Sequence, residues 1–235
     1  MNIVLFREGE SSLPLSDPRC QHILKVLGMK EGDSFKAGFA NGMMGMARIE
    51  SIGDSMSFSF DFREDGSYLH PLTAIIALVR PICMKRILRE AVSLGVSRLI
   101  LPVSDLGEKS YLKSSLFSSG EYESILIDGA MQSGRTGVPD VVIASSVSDA
   151  IDRLGDASDR YLLDNAIGSV PLSTLDLAGR RPVIAIGPER GWTERERNVF
   201  LSRGFKPCLL GDRILRTETA AVGGITLTLA RMGCI

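Results

Sequence analysis

The chain has 235 residues and a formal net charge of −1 at pH 7. At 44% hydrophobic and 23% charged it carries enough apolar material for one large domain, or for a small domain beside a medium one. A charge this near zero says nothing about nucleic acid, and any such contact must come from local basic patches.

Residues 1 to about 70 read as short strands separated by turn signals: Glu31-Gly32-Asp33, Asn41-Gly42 and Gly53-Asp54. Asn41-Gly42, between Phe35–Phe39 and Met44–Ile49, is a hairpin signal. Ser57 to Phe62 alternates strictly, as a half-buried strand does. One helix is expected among these strands, started by Asp17-Pro18, with His22-Ile23 and Val26-Leu27 as its apolar face. The segment predicts a small β-barrel or sandwich, with a boundary in the polar stretch Arg63–Ser67 before His70-Pro71.

Beyond residue 70 the period changes. Thr73 to Val79 is a continuous apolar run, as in a strand covered on both faces. Met84 to Leu94 has helical spacing and Gly95 ends it; Arg98 to Val103 is the next strand. The alternation continues through Tyr161–Asp164 and Val183–Ile186, so residues 71–235 predict an α/β domain with a mostly parallel sheet.

Two loops near the C-terminus stand out. In Ile186-Gly187-Pro188-Glu189-Arg190-Gly191, Gly187 lets the chain turn off its strand, and Gly191 permits a left-handed residue or close ligand approach. Thr193 with Glu196 is a capping box that starts the next helix. The loop is neither a P-loop nor a Gly-x-Gly-x-x-Gly fingerprint. In the second, Leu210 to Ala220, Ile214 and Leu215 are apolar residues between Arg213 and Arg216, and Thr217 starts a helix in which Gly223-Gly224 allows close packing. Two strand–loop–helix units in tandem place their loops together at a sheet edge, where α/β proteins bind ligands.

Four cysteines (Cys20, Cys83, Cys208, Cys234) lie far apart without a Cys-x-x-Cys pair, which predicts reduced thiols rather than disulfides or a zinc site. The start lacks the apolar core of a signal peptide, and no run approaches the ~20 residues that span a bilayer. A soluble cytoplasmic protein is expected.

Gly187-Pro188-Glu189-x-Gly191 followed by Leu210-Gly211-x-Arg213-Ile214-Leu215-Arg216-Thr217-Glu218-Thr219-Ala220 resembles the C-terminal signature of the bacterial 16S ribosomal RNA uracil-N3 methyltransferases, a branch of the SPOUT class. The resemblance extends to His22-x-x-x-Val26-Leu27 with Gly32-Asp33, to Leu94-Gly95-Val96, Pro102 and Ser110, and to Gln132-Ser133-Gly134-Arg135-x-x-Val138-Pro139. It implies a PUA-like RNA-binding barrel over residues 1–70 and, over 71–235, a SPOUT domain whose C-terminal segment forms a trefoil knot. It further implies a homodimer, S-adenosylmethionine as methyl donor, no metal, and a uridine N3 of 16S rRNA in the small subunit as target.

By the same resemblance the cofactor wall is Leu163, Gly187, Glu189, Gly191 and Leu210, with Ile214, Leu215, Arg216, Thr219 and Ala220. Uridine N3 carries a proton, so cationic donors near the uracil carbonyls would favour the anionic base; Arg135 and Arg216 are the candidates. For RNA capture, Arg80, Lys85, Arg86 and Arg89 cluster early in the second domain, and Lys25 and Lys30 lie in the first. Departures from the family pattern fall at Gly28, Glu90, Ser93, Met131 and Arg190, mostly on the substrate side. They leave two other readings open: a SPOUT paralogue that modifies another RNA position, and an RNA-binding protein that kept the fold without catalysis.

Overall fold

A computed structural model describes residues 2–155 and 159–235, which divide into two compact units. The first unit comprises Met1–Tyr68 together with Ile127–Val138; the second comprises Leu69–Leu126 and Pro139–Ile235.

The first unit contains β1 (Val4–Phe6), β2 (Ser12–Pro14), α1 (Pro18–Lys25), β3 (Ser34–Phe39), β4 (Met43–Ile52) and β5 (Ser55–Asp65). They form a five-stranded sheet in the order β1-β3-β4-β5-β2, with β1 and β3 parallel and the remaining pairs antiparallel. Asn41 closes the β3–β4 hairpin at φ 57°, the backbone conformation that makes Asn or Gly the usual choice there. Alternation along β5 sends Met56, Phe58, Phe60 and Phe62 inward, where rings from Phe6, Phe35 and Phe39 meet them edge-on at 4.9–5.9 Å.

The helix α1 begins where the sequence places it, with Asp17 accepting a hydrogen bond from the Arg19 N–H. It ends sooner than expected: Ile23 and Cys20 are buried, but Val26 and Leu27 lie past its last residue and are 68% and 41% exposed. Gly28, at φ 66°, turns the chain away before those two can face the core.

Residues 127–138 belong to this unit through the backbone. The amides of Asn2 and Ile3 donate to Met131 O, Thr136 N donates to Gly66 O (3.0 Å), and Asn41 N donates to Thr136 O (2.8 Å).

The second unit holds β6 (His70–Ile76), α2 (Pro81–Ser93), β7 (Val96–Pro102), α3 (Ser115–Ser118) and the start of α4 (Glu121–Ser133). Then come β8 (Asp140–Ala144), α5 (Val147–Asp152), β9 (Asp159–Leu163), β10 (Val170–Pro171), β11 (Pro182–Ile186), α6 (Glu194–Ser202), β12 (Lys206–Leu209) and α7 (Thr217–Met232). Its seven strands run in the order β10-β12-β9-β11-β6-β7-β8, and every adjacent pair is parallel. β6 stops at Ile76, three residues before its apolar run ends, yet Ala77, Leu78 and Val79 remain buried.

Both faces of this sheet are covered, which is why its central strands read as unbroken apolar runs. On β11, Val183 and Ala185 point into a core with Ala150 and Ile151 of α5, Trp192, and Phe200 of α6. Ile184 and Ile186 point the other way: Gly224 of α7 comes so near that a Cβ there would lie 2.7 Å from Leu163 Cδ1 and 3.8 Å from Ile184 Cδ1. Close packing at Gly224 thus brings α7 down onto the strands that carry the loops described next. Among the described residues, no helix is long and apolar enough to cross a membrane.

Candidate functional site

Three loops leave the C-terminal ends of β12, β9 and β11, neighbours in the sheet, and wall a single cleft. After β9 the wall is Leu163, Asp164 and Asn165; after β11 it runs from Ile186 to Glu189 and includes Gly191 and Trp192. The third wall is Leu210, Gly211, Arg213, Ile214 and Leu215, completed by Thr217 and Ala220 of α7. In parallel sheets this edge is the usual ligand site, because the loops there are free of the ladder and the following helices begin there.

The β11 loop is held at both ends. Gly191, at φ 71°, closes a turn in which its N–H donates to Pro188 O (2.8 Å). Thr193 then caps α6: its hydroxyl accepts from Glu196 N, and the Glu196 carboxylate accepts from Thr193 N (2.8 Å). Glu196 is 1% exposed, and its other oxygen accepts from Asp105 N (2.8 Å), in the loop after β7. Asp105 in turn receives the Thr193 hydroxyl and pairs with Arg195, whose guanidinium holds the Asp105 carboxyl below the ordinary aspartate value.

The β9 wall turns on Asp164, whose side chain is 3% exposed. One oxygen accepts from Arg197 Nε (2.7 Å) and the other from Ala166 N (2.7 Å), while the Asp164 N–H donates to Cys208 O on β12. The α7 wall is tied to the β11 wall by Thr217 Oγ1, which donates to Gly187 O (3.3 Å). At the mouth the apolar side chain of Ile214 is 86% exposed. Beside these walls, the Cys83 thiol in the first turn of α2 donates to Glu218 in the first turn of α7. The carboxylate pushes the thiol pKa up, and the thiol holds Glu218 below the usual carboxylate range.

Eight residues expected at the cofactor line this cleft: Leu163, Gly187, Glu189, Gly191, Leu210, Ile214, Leu215 and Ala220. Arg216 and Thr219 do not line it. Thr217 and Ala220, three apart, share the inward face of α7, and Thr219 falls off that face. Arg216 is the N-cap of α7 and makes no side-chain cap, so this helix, unlike α6, begins uncapped.

Asp164, Asn165, Ile186, Pro188, Trp192, Gly211, Arg213 and Thr217 also line the cleft, although they are not among the residues expected at the cofactor. Pro188, Gly211, Arg213 and Thr217 fall inside the two signature segments, and that is the signal the sequence offers for them. Arg135 belongs to the first unit, where its Nη1 lies 3.2 Å from Glu64 Oε1. Of the basic residues assigned to RNA, Arg80, Arg86 and Arg89 are exposed, as are Lys25 and Lys30 of the first unit. Lys85 instead binds Glu121 at 2.5 Å.

The cleft therefore combines apolar side chains, open backbone at strand ends and rigidly braced loops. That arrangement suits a flat, partly apolar ligand held by its edges rather than a metal or a nucleophile–base pair.

Residues 67–228 match the RNA methyltransferase domain family. The chain is 39% identical, over 98% of its own length and 91% of the relative's, to a ribosomal RNA small subunit methyltransferase E from Treponema pallidum (strain Nichols). In three dimensions it is similar to a probable rRNA-methyltransferase from Porphyromonas gingivalis, with a TM-score of 0.84 and 25% identity over 100% of this chain and 99% of that one. It also shares its fold with a ribosomal RNA small subunit methyltransferase E from Neisseria gonorrhoeae solved with S-adenosyl methionine, at a TM-score of 0.78 and 24% identity over 98% and 97% of the two chains.

Proposed function

The chain belongs to the RNA methyltransferase family, and from that premise we propose that it transfers a methyl group from S-adenosylmethionine to N3 of a uridine in 16S ribosomal RNA of the small subunit. The observation that carries this reading is the cleft. The two segments densest in family signature, Gly187–Gly191 and Leu210–Ala220, are the two that wall it together with the end of β9.

The residues present fit the methyl donor. Leu163, Leu210 and Leu215 supply apolar faces for a purine ring, and exposed Ile214 would gain cover from it. The backbone N–H groups of Leu210, Ile214 and Leu215 donate to no backbone carbonyl among the described residues, which leaves them for the ring edge. Bound there, S-adenosylmethionine supplies an electrophilic methyl group, moved by in-line displacement and limited by positioning. The Thr193–Glu196–Asp105 and Asp164–Arg197 contacts serve that positioning, since they fix the loops against which the donor would lie. Arg216 and Arg135 are assigned to stabilise the uracil anion formed when N3 gives up its proton.

The remaining assignments follow the resemblance. Residues 1–70 form a PUA-like barrel that holds RNA through Lys25 and Lys30, and residues 71–235, apart from the 127–138 segment that returns to the first unit, form the SPOUT domain. A trefoil knot in the C-terminal segment is supported by the sheet order: β12 lies beyond β9, while α7 returns to pack on β11, β6 and α2. Two copies act as a homodimer in the cytoplasm.

Isothermal titration with S-adenosylmethionine tests the cofactor, and absence of binding refutes methyl transfer. Mass spectrometry of 16S rRNA from a strain without the gene tests the target. Loss of one N3-methyluridine is expected; its full retention, with another methylation lost, assigns the enzyme to a different RNA position.

A further inference from the structure

The arginines of the second unit fall into two groups. Those remote from the cleft mouth are engaged: Arg98 with Asp140, Arg153 with Asp149, Arg180 with Asp159, and Arg203 with Asp152. Arg195 and Arg197, which brace the loops, are bound to Asp105 and Asp164, and Arg160 and Arg231 donate to backbone carbonyls. Among the described residues of this unit, the arginines whose side chains make neither an ion pair nor a hydrogen bond are Arg80, Arg86, Arg89, Arg190, Arg213 and Arg216, and all six are exposed.

These six do not scatter. Arg190 lies in the loop after β11, and Arg213 and Arg216 lie in the loop after β12; Arg213 lines the cleft, and the other two stand one residue from lining positions, Arg190 beside Glu189 and Gly191 and Arg216 beside Leu215 and Thr217. Arg80 ends the connection after β6, and Arg86 and Arg89 lie on α2, which packs against α7. Glu218 in the first turn of α7 lies in the field of both Arg216 and Arg86, so the start of α7 and α2 share one charged neighbourhood. The carboxylates on the same segments, Glu90, Glu189, Asp212 and Glu218, are outnumbered. Arg80 and Arg216 also stand as N-caps of α2 and α7. A cation there opposes the helix dipole, a cost that a bound anion would offset.

We infer that this rim is a phosphate-binding track, on which Arg190 and Arg213 hold backbone phosphates of the RNA beside the nucleotide presented to the cleft. The inference rests on the methyltransferase reading and adds to it the residues that seat the substrate. Guanidinium groups suit the task because their planar fork pairs with phosphate oxygens two at a time. Arg213 belongs to the signature segment, whereas Arg190 stands where this chain departs from the family pattern, so its part of the track is particular to this chain.

The experiment is fluorescence anisotropy of the full chain with a labelled single-stranded RNA fragment of small-subunit rRNA, between about 50 and 200 mM salt. R190A and R190A/R213A are compared with the wild type and with R190K/R213K. On single strands each lost phosphate contact lowers the slope of log affinity against log salt by ~0.7, so the double alanine variant should lose about 1.4 and R190A about half of that. The lysine variant, which keeps the charges, should keep most of the slope. A steep wild-type slope that R190A/R213A leaves unchanged overturns the track alone. Absence of salt-dependent RNA binding by the wild type overturns the track together with the RNA reading.

Discussion

Arg197 of α6 and Asp164 at the end of β9 form an ion pair, Nε to Oδ2 at 2.7 Å, that joins two walls of one cleft. The guanidinium reaches further than its partner: a Cβ added to Gly191 would lie 3.9 Å from Arg197 Nη2. One side chain therefore lies against both the β9 wall and the turn after β11. Arg197→Met should strip a buried carboxylate of its cation, at a cost of about 3 kcal/mol, and raise the Kd for S-adenosylmethionine roughly tenfold or more, equivalent to ~1.4 kcal/mol. Thermal melts and titration calorimetry read the two effects. D164N/R197M, which leaves no unpaired charge, should recover part of the stability; no recovery would show that the pair is not coupled.

Gly224 offers a compensating pair. Its alanine would place Cβ 2.7 Å from Leu163 Cδ1 and drive that side chain toward the cleft it lines. Overpacking of this kind costs roughly 1–3 kcal/mol. Gly224→Ala should weaken cofactor binding several-fold, and L163A/G224A should restore it by vacating the space. A double variant no better than the single would place the strain elsewhere.

Acid should loosen the β11 loop through Asp105. Arg195 holds its carboxyl below the ordinary value of about 3.9. With a depressed folded-state pKa, its contribution is fully present above that ordinary value and is lost as pH falls through the lower, folded one. Wild type should therefore lose more stability than Asp105→Asn between about pH 5 and pH 2, as followed by chemical denaturation. Parallel acid limbs would remove Asp105 from the account.

Cys83 should be a slow thiol. The Glu218 carboxylate accepts a hydrogen bond from the protonated thiol and raises its pKa, so less thiolate is present near pH 8. Glu218→Gln should speed alkylation of Cys83 by iodoacetamide several-fold, as measured by peptide mass spectrometry. An unchanged rate would mean that access, not the carboxylate, limits the reaction.

Arg135 carries the assignment to the uracil anion on motif alone. Arg135→Ala should lower turnover at least tenfold with the cofactor Kd unchanged, as for a group that acts on the transition state. Normal turnover would return Arg135 to its contact with Glu64 as its whole role.

The parts of the fold that were legible share a cause. Runs such as Thr73–Val79 and Val183–Ile186 are apolar because both faces of their strands are covered, and Thr193 with Glu196 states a helix start in four residues. What escaped depends on partners distant in the chain. Asp164 is a single carboxylate after a strand until Arg197 arrives 33 residues later, and Lys85 reads as a free cation until Glu121 takes it. For Thr219 the cue is nearer: the spacing of Thr217 and Ala220 already fixes which face of α7 looks inward, and Thr219 lies off that face.

The return of residues 127–138 to the first unit bears on how the protein is made. Synthesis delivers β1 through β5 before residue 68, yet the carbonyl of Met131 and both backbone groups of Thr136 are then still to come. Domains normally fold in the order in which they leave the ribosome. Here the N-terminal unit stays incompletely bonded until residue 138 has emerged, and by then β6, α2, β7 and the start of α4, which belong to the other unit, are already outside.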